Sequence, residues 1–296
     1  MHKTKNKVNP FAAKHPLSQL KFLGIRQTFK ILNVIAPFLA SRLALRIFLT
    51  PPRQPAPHWQ RPYITSAKQS TIEINQKKIC LYEWGDGHSI VLLAHGWGGR
   101  GTQLGAFIEP LVQAGFRVIA FDGPAQGDST GKSSNMFEFA ALINQIAKNN
   151  GSLYAILGHS FGAACALLAL HQYNIAIQKL VLIGCPSSSI WITENFAEKL
   201  AISKNVIQKM RELIQMQYGN QWTWDKLLSL KFLFKNVREP ALIIHDQNDK
   251  DVPFSHAIEL NTVGQASKLF TTKNQGHRRI LRNPEVIAEV VKFMNH

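Results

Sequence analysis

Residues 153–168 read LYAILGHSFGAACALL: a short apolar run, then the motif GHSFG at 158–162, then small and apolar residues. The run Leu153–Leu157 is typical of a strand buried on both faces, and residues 163–173 are typical of a helix. A serine at such a junction lies on a sharp, strained turn, where side chains two residues before and after it would collide. The stretch therefore predicts a strand–turn–helix unit that projects the Ser160 hydroxyl from the edge of a sheet.

Strand and helix patterns alternate on both sides of this unit, from about residue 70 to the end of the chain. Strands are predicted at 71–74, 78–84, 90–94, 117–121, 153–157, 179–183, 241–245 and 268–272. Helices are predicted at 104–114, 137–148, 163–173, 255–260 and 284–295. The first two strands are expected to form a hairpin across Asn75-Gln76. This alternation predicts an α/β fold with a mainly parallel central sheet and helices on both faces.

The segment between the strands at 179–183 and 241–245 has no clear strand pattern and is rich in aromatic residues. We interpret residues 187–237 as a small helical cap, inserted before the predicted strand at 241–245. The cap would lie above the carboxyl ends of the strands, where open α/β sheets bind ligands. Trp191 and Trp222 are candidate substrate-binding residues there. The alternative is that these aromatic side chains form the core of the cap itself.

A second glycine-rich segment, HGWGG at 95–99, follows the predicted strand at 90–94. Acyl transfer needs two backbone N–H groups directed at the oxyanion that develops on the substrate. The N–H groups of Trp97 and Phe161 are the candidates, because Phe161 follows the serine and Trp97 lies in the glycine-rich loop. Taken alone, this segment would be an ordinary turn.

Together these motifs resemble the α/β-hydrolase superfamily, in its esterase, lipase and related acyl-hydrolase branch, over residues 70–296. The resemblance implies a serine nucleophile at Ser160 followed along the chain by an acid and then a histidine. The segment DGPAQGDS at 122–129 is similar to a loop of that family that is structural in most members, so we interpret Asp122 as a turn former. The resemblance does not extend to residues 1–60.

The acid and the base are assigned through the same resemblance. The segment HDQNDKDVP at 245–253 is similar to the family's H-G-x-x-D-x-x-V-P pattern, which puts the acid at Asp249, with Asp246 and Asp251 as nearby alternatives. His277 follows the last predicted strand, where the family places its base, and it would accept the Ser160 proton while Asp249 orients its ring.

Two other histidines, His95 and His159, flank the same mouth. Neither is placed to be the base, so we interpret both as structural or pocket-lining, with His159 as a candidate substrate-binding residue.

These residues predict a serine hydrolase that cleaves a small-molecule carboxylic ester or thioester through an acyl-enzyme intermediate. No metal or organic cofactor is implied. One alternative is an acyltransferase or thioesterase with the same triad. Another is a non-catalytic, membrane-associated protein on a hydrolase scaffold.

The first 60 residues differ from the rest in charge. Residues 1–61 hold eleven of the 34 Lys and Arg residues and no acid, since the first acidic residue is Glu73. One or two helices broken near Pro37 are predicted over 17–49, followed by an extended Pro-rich linker at 51–57. The longest charge-free run of these helices, 31–41, is too short for a bilayer, which needs about 20 residues.

The predicted organisation is therefore a basic N-terminal arm and linker (1–60), a core (61–186 and 238–296) and the cap (187–237). The arm either packs on the body or lies on an anionic membrane surface, and no nucleic-acid motif is present. Three cysteines without disulfide or metal spacing favour a cytoplasmic location, with peripheral attachment to the inner face of a membrane as a variant of it.

Overall fold

The computed structural model describes residues 16–219, 223–224 and 229–296. The chain divides into two compact units. One comprises Leu49–Ser188 and Leu227–His296, and the other comprises Met1–Phe48 and Ser189–Lys226.

The larger unit contains an eight-stranded sheet in the order β1-β2-β4-β3-β5-β6-β7-β8. The strands are β1 (Lys68–Ile74), β2 (Lys77–Trp84), β3 (Ile90–Ala94), β4 (Arg117–Phe121), β5 (Ala155–His159), β6 (Lys179–Ile183), β7 (Ala241–Asp246) and β8 (Ser267–Thr272). Strand β2 pairs antiparallel with β1 and with β4, and the remaining neighbours pair in parallel. The α/β fold with a mostly parallel sheet is therefore confirmed.

The helices of both units follow in chain order. They are α1 (Pro16–Ile35), α2 (Pro37–Phe48), α3 (Arg61–Ser66), α4 (Ile108–Gln113), α5 (Met136–Asn150), α6 (Phe161–Tyr173), α7 (Ser189–Leu200), α8 (Lys204–Tyr218), α9 (Leu230–Lys235), α10 (Ser255–Val263), α11 (Gly276–Arg279) and α12 (Pro284–Asn295). Helix α6 is buried along most of its length, and α12 buries Val286, Val290 and Met294 in the core that also contains the central strands.

Local sequence accounts for most of these boundaries. The hairpin between β1 and β2 turns at Asn75 (φ 48°) and Gln76 (φ 61°), the left-handed pair that a two-residue turn requires. Asn135 caps α5 and Asn283 caps α12, each accepting a hydrogen bond from a backbone N–H of the first turn. The segment predicted as a helix at 104–114 begins as a 3-10 helix at Gly101–Phe107 and becomes α-helical at Ile108.

The smaller unit packs α1 and α2 together with α7 and α8. Its core contains Phe29 of α1, Ala40 and Ala44 of α2, and Met210 of α8, all fully buried. Pro37 begins α2 because a proline can occupy the first turn of a helix but not continue α1. No helix in the described residues is long and apolar enough to cross a bilayer.

Two segments differ from the expected organisation. Helix α9 lies inside the predicted cap range, but it packs on α6 and α10 in the larger unit. The Pro-rich segment is extended, and it is fixed to that unit rather than free. The Arg53 guanidinium donates hydrogen bonds to the carbonyl oxygens of Ala125 (3.0 Å from Nε) and Ser129.

Candidate active site

Ser160 lies at the turn between β5 and α6 in a strained backbone conformation, with φ 51° and ψ −112°. A positive φ is uncommon for a residue with a side chain and costs about 1–2 kcal/mol. The glycines on either side make this turn possible. A Cβ at Gly158 would lie 2.5 Å from the Cα of Ala163, and one at Gly162 would lie 2.5 Å from the carbonyl oxygen of His95. The Ser160 N–H donates to the carbonyl oxygen of Ile183 at 2.9 Å, which fixes the turn to β6.

Two backbone N–H groups near this turn are candidates for binding an oxyanion. Phe161 begins α6, so its N–H is among the first four that have no partner within the helix. The N–H groups of Gly96 and Gly98 donate to the side chains of Gln103 (2.8 Å) and Gln126 (2.7 Å). Between them, the N–H of Trp97 makes no hydrogen bond within the described part of the chain. The rings of Trp97 and Phe161 are in edge contact, with centroids 4.9 Å apart.

Asp249 and His277 are directly hydrogen-bonded. His277 Nδ1 lies 2.7 Å from Asp249 Oδ2, and the Asp249 side chain is 1% exposed. Asp249 Oδ1 accepts the backbone N–H groups of Asp251 (2.8 Å) and Val252 (3.0 Å). Burial alone would raise the pKa of Asp249, but the hydrogen bonds from His277 and from these N–H groups outweigh it and hold that pKa below its ordinary value. The carboxylate is therefore ionised at neutral pH.

Backbone and side chains beside Ser160 also contact His277. His159 Nε2 lies 2.9 Å from the His277 carbonyl oxygen, and the two imidazole rings are 4.7 Å apart. Gly184 follows the residue that accepts the Ser160 N–H, and a Cβ there would lie 3.0 Å from His277 Cε1. His277 and Ser160 thus adjoin the same stretch of backbone at the carboxyl ends of β5 and β6.

Asp246 has a different role from Asp249. Its Oδ2 accepts the Thr272 hydroxyl and the Gln275 N–H, each at 2.8 Å, and its Oδ1 accepts the Asn248 N–H. These bonds tie the end of β7 to the end of β8 and to the residue just before α11, the helix that carries His277. Asp251 donates its N–H to Asp249, and among the described residues its side chain makes no hydrogen bond or ion pair with His277.

Asp122 is fully buried, and its side chain accepts three hydrogen bonds from other residues than His277. It accepts hydrogen bonds from the N–H groups of Gly101 (2.7 Å) and Asp128 (2.6 Å) and from the Tyr82 hydroxyl (3.0 Å). Burial raises the pKa of Asp122. These contacts fix the loop at 122–129, as expected from the interpretation of Asp122 as a turn former.

His95 and His159 are both buried, and both rings make hydrogen bonds. His95 Nδ1 lies 2.7 Å from the Gly96 carbonyl oxygen, and its Nε2 accepts the Gly123 N–H at 2.8 Å. Burial lowers the pKa of His95 to about 4, so the ring is neutral. His159 is 2% exposed, and its Nε2 contacts the backbone carbonyl oxygen of His277; a substrate-binding role for His159 stays a prediction.

Trp191 and Trp222 are the candidate substrate-binding residues of the predicted cap. Trp191 is half-buried in the first turn of α7, in the smaller unit. Trp222 lies outside the described residues. A substrate-binding role for either residue stays a prediction.

The comparisons with known proteins identify the family to which this fold belongs. Residues 89–199 match the family described as alpha/beta hydrolase fold. A 2-hydroxy-6-oxononadienedioate/2-hydroxy-6-oxononatrienedioate hydrolase from Klebsiella pneumoniae is 30% identical over 245 residues, which cover 68% of this chain and 84% of that protein. The chain belongs to the α/β-hydrolase family.

Other relatives of this α/β hydrolase are more distant. Human Protein ABHD12B is 24% identical over 74% of the chain, and the chain spans 64% of the length of that protein. The crystal structure of a membrane phospholipase A superposes with a TM-score of 0.61 at 15% identity, covering 94% of this chain and 98% of that one. At this identity the likeness concerns the fold alone.

Proposed function

We propose that this α/β hydrolase cleaves carboxylic esters or thioesters through an acyl-enzyme on Ser160, with His277 as base and Asp249 as the acid that orients it. The hydrogen bond from His277 Nδ1 to Asp249 carries the proposal. A carboxylate can only accept, so Nδ1 holds the proton and Nε2 is the basic nitrogen. An acid that fixes the tautomer in this way is what a serine nucleophile requires of its histidine.

The proposed reaction has an acylation step and a deacylation step. The Ser160 hydroxyl attacks the acyl carbon as His277 Nε2 takes its proton, and the N–H groups of Trp97 and Phe161 bind the oxyanion of the tetrahedral intermediate. His277 then gives the proton to the leaving alcohol or thiol, which leaves the acyl group on Ser160. Water attacks the acyl-enzyme with His277 again as base. His277 then returns that proton to the Ser160 oxygen as the bond from the acyl carbon to that oxygen breaks, and the carboxylic acid is released.

Three structural features support this sequence of steps. The ionised Asp249 stabilises the imidazolium that forms twice per turnover. The start of α6 adds the positive end of a helix dipole next to Ser160. The left-handed backbone at Ser160 keeps its side chain at the end of β5 instead of within the helix.

Fluorophosphonate labelling tests the proposal. The reagent should modify the full chain at Ser160, and Ser160→Ala and His277→Ala should abolish labelling and lower the turnover of a chromogenic ester by about 10⁴–10⁶-fold. Ser187→Ala is the matched control, because the Ser187 hydroxyl also lies beside a histidine and a carboxylate, His256 (2.7 Å) and Glu259 (2.8 Å). It should label as the unmodified protein does. Undiminished turnover by Ser160→Ala would disprove the assignment.

A second candidate substrate class comes from the relatives. The 30% identical Klebsiella protein is named a hydrolase of 2-hydroxy-6-oxononadienedioate and 2-hydroxy-6-oxononatrienedioate, so compounds of this kind are the second candidate. Steady-state turnover of that compound and of an ester series from short to long acyl chains distinguishes the two. Product analysis with water against an alcohol or thiol acceptor distinguishes hydrolysis from acyl transfer.

A further inference from the structure

Exposed apolar side chains are concentrated on α1 and α2. Seven large apolar residues there are more than half exposed: Leu20, Leu23, Ile31, Val34, Ile35, Phe38 and Leu39. In the rest of the described chain only Met216, Phe232 and Ile258 are comparable, and they lie singly on three different helices. Scattered residues of that kind are ordinary, whereas a concentration of seven within twenty residues is typical of an interaction surface.

This surface is distinct from the face that α1 uses to pack. Phe29 is fully buried in the smaller unit, with Phe22, Ile25 and Leu32 beside it. On the same side, Asn33 Nδ2 donates to the Ala201 carbonyl oxygen at 2.8 Å. Residues of a helix turn by about 100° each, so Leu20, Leu23, Ile31, Val34 and Ile35 form a stripe on the opposite side. The helix therefore already has its core contacts, and the stripe is a second apolar face.

The charged side chains on α1 and α2 are all positive. Lys21 and Lys30 are exposed and lie at its two edges by the helical rotation. Arg42 is exposed on α2, with its guanidinium carbon 5.7 Å from the ring centre of Phe38. No acid precedes Glu73 in the sequence, so neither α1 nor α2 carries a negative charge.

We call the stripe on α1, together with Phe38 and Leu39 of α2, the α1–α2 face. We propose that this face docks the protein on an anionic lipid bilayer, with both helices lying in the plane of the interface. An apolar stripe bordered by lysine and arginine matches such a surface, because the apolar side chains enter the acyl boundary while the bases reach the lipid phosphates. A second copy of the chain fits less well, because a two-fold interface would place the same bases against one another, and neither α1 nor α2 carries an acid to pair with them.

Vesicle co-sedimentation of the full chain tests the docking face. The protein should bind vesicles of phosphatidylglycerol mixed with phosphatidylcholine more tightly than phosphatidylcholine alone, and added salt should weaken the binding. Ile31→Gln, Val34→Gln and Phe38→Gln together should weaken it at least about tenfold. The matched control changes Met216, Phe232 and Ile258 to Gln, which removes as many exposed apolar side chains from other helices and should leave binding unchanged.

Charge reversal provides a second test. Lys21→Glu, Lys30→Glu and Arg42→Glu together should weaken binding about a hundredfold, while reversal of the exposed Lys132, Lys148 and Lys292 should have a small effect. Circular dichroism and size exclusion establish that each variant is folded. Binding that is equal in the α1–α2 variants and their controls would overturn the proposal. The proposal would also be overturned if the unmodified protein did not bind vesicles but was a dimer that the stripe substitutions converted to a monomer. The α1–α2 face would then bind a second copy of the chain. None of these measurements depends on Ser160 chemistry.

Discussion

His159 Nε2 lies 2.9 Å from the backbone carbonyl oxygen of His277. The residue that precedes Ser160 is therefore hydrogen-bonded to the backbone of the histidine that we propose as its base. A carbonyl oxygen only accepts, and Nε2 is therefore the donor. Burial lowers the pKa of His159 well below its ordinary value, which keeps its ring neutral. The contact joins the end of β5 to α11, across 118 residues of the chain.

The first prediction concerns this contact. His159→Leu should lower kcat for an ester about 10- to 100-fold with little change in KM, because the base is then positioned less accurately while the surface that meets substrate is unchanged. His159→Gln should recover most of the loss, since its amide can donate from a similar position. Stopped-flow and steady-state kinetics measure the split. A rise in KM at unchanged kcat would instead indicate that His159 binds substrate.

A pair of aspartates should separate catalysis from folding. Asp249→Asn should lower kcat by about 10³–10⁴-fold, because an amide cannot hold the His277 tautomer or stabilise the imidazolium. Asp122→Asn should instead lower the free energy of unfolding by about 1–3 kcal/mol, because one of its hydrogen-bond donors loses an acceptor in a buried site. Urea unfolding and ester turnover of both variants check the assignment. It is wrong if Asp122→Asn loses turnover while folded and Asp249→Asn does not.

Much of the fold follows from local patterns. The strands β3, β4 and β6 have the predicted bounds because each is a short apolar run between turn residues. The strand before Ser160 was predicted at 153–157 but lies at Ala155–His159, because His159 pairs with Ile183 of β6. Strand pairing is a contact between distant segments, and a single run of residues does not reveal it.

The supporting parts of the candidate site were missed for the same reason. The motifs identify Ser160, Asp249 and His277 as candidates, but the close approach of Gly184 to the His277 ring depends on where two loops meet. The role of Asp246 in fixing the loop of His277 is also a tertiary contact. The only available signal was position, since both residues lie at the carboxyl end of a strand, where α/β folds place functional loops.

Gly184 gives a prediction of its own. Its φ is 58°, and an added Cβ would lie 3.0 Å from His277 Cε1 and 3.1 Å from Nδ1. Gly184→Ala should therefore displace the imidazole and lower kcat about tenfold or more, although no reacting group is removed. Gly115→Ala is the control, since Gly115 also has a positive φ (86°) but has nothing within 4 Å of an added Cβ. Equal turnover by the two alanine variants would show that only backbone strain is involved.

The last prediction is a loss of stability in acid that depends on His95. Burial lowers the pKa of His95 from 6.5 to about 4, so between those pH values the unfolded chain binds a proton that the folded protein excludes. Stability contributed by neutral His95 is therefore complete above pH 6.5 and falls as the pH drops, by about 3 kcal/mol at pH 4. His95→Asn cannot titrate there and should show a shallower fall, despite a lower stability at pH 7 caused by its poorer hydrogen bonds. Urea unfolding of both proteins from pH 4 to 7 measures the difference, in which the contributions of the other buried histidines cancel. Parallel pH curves would mean that His95 is protonated in the folded protein, in conflict with the Gly123 N–H that its Nε2 accepts.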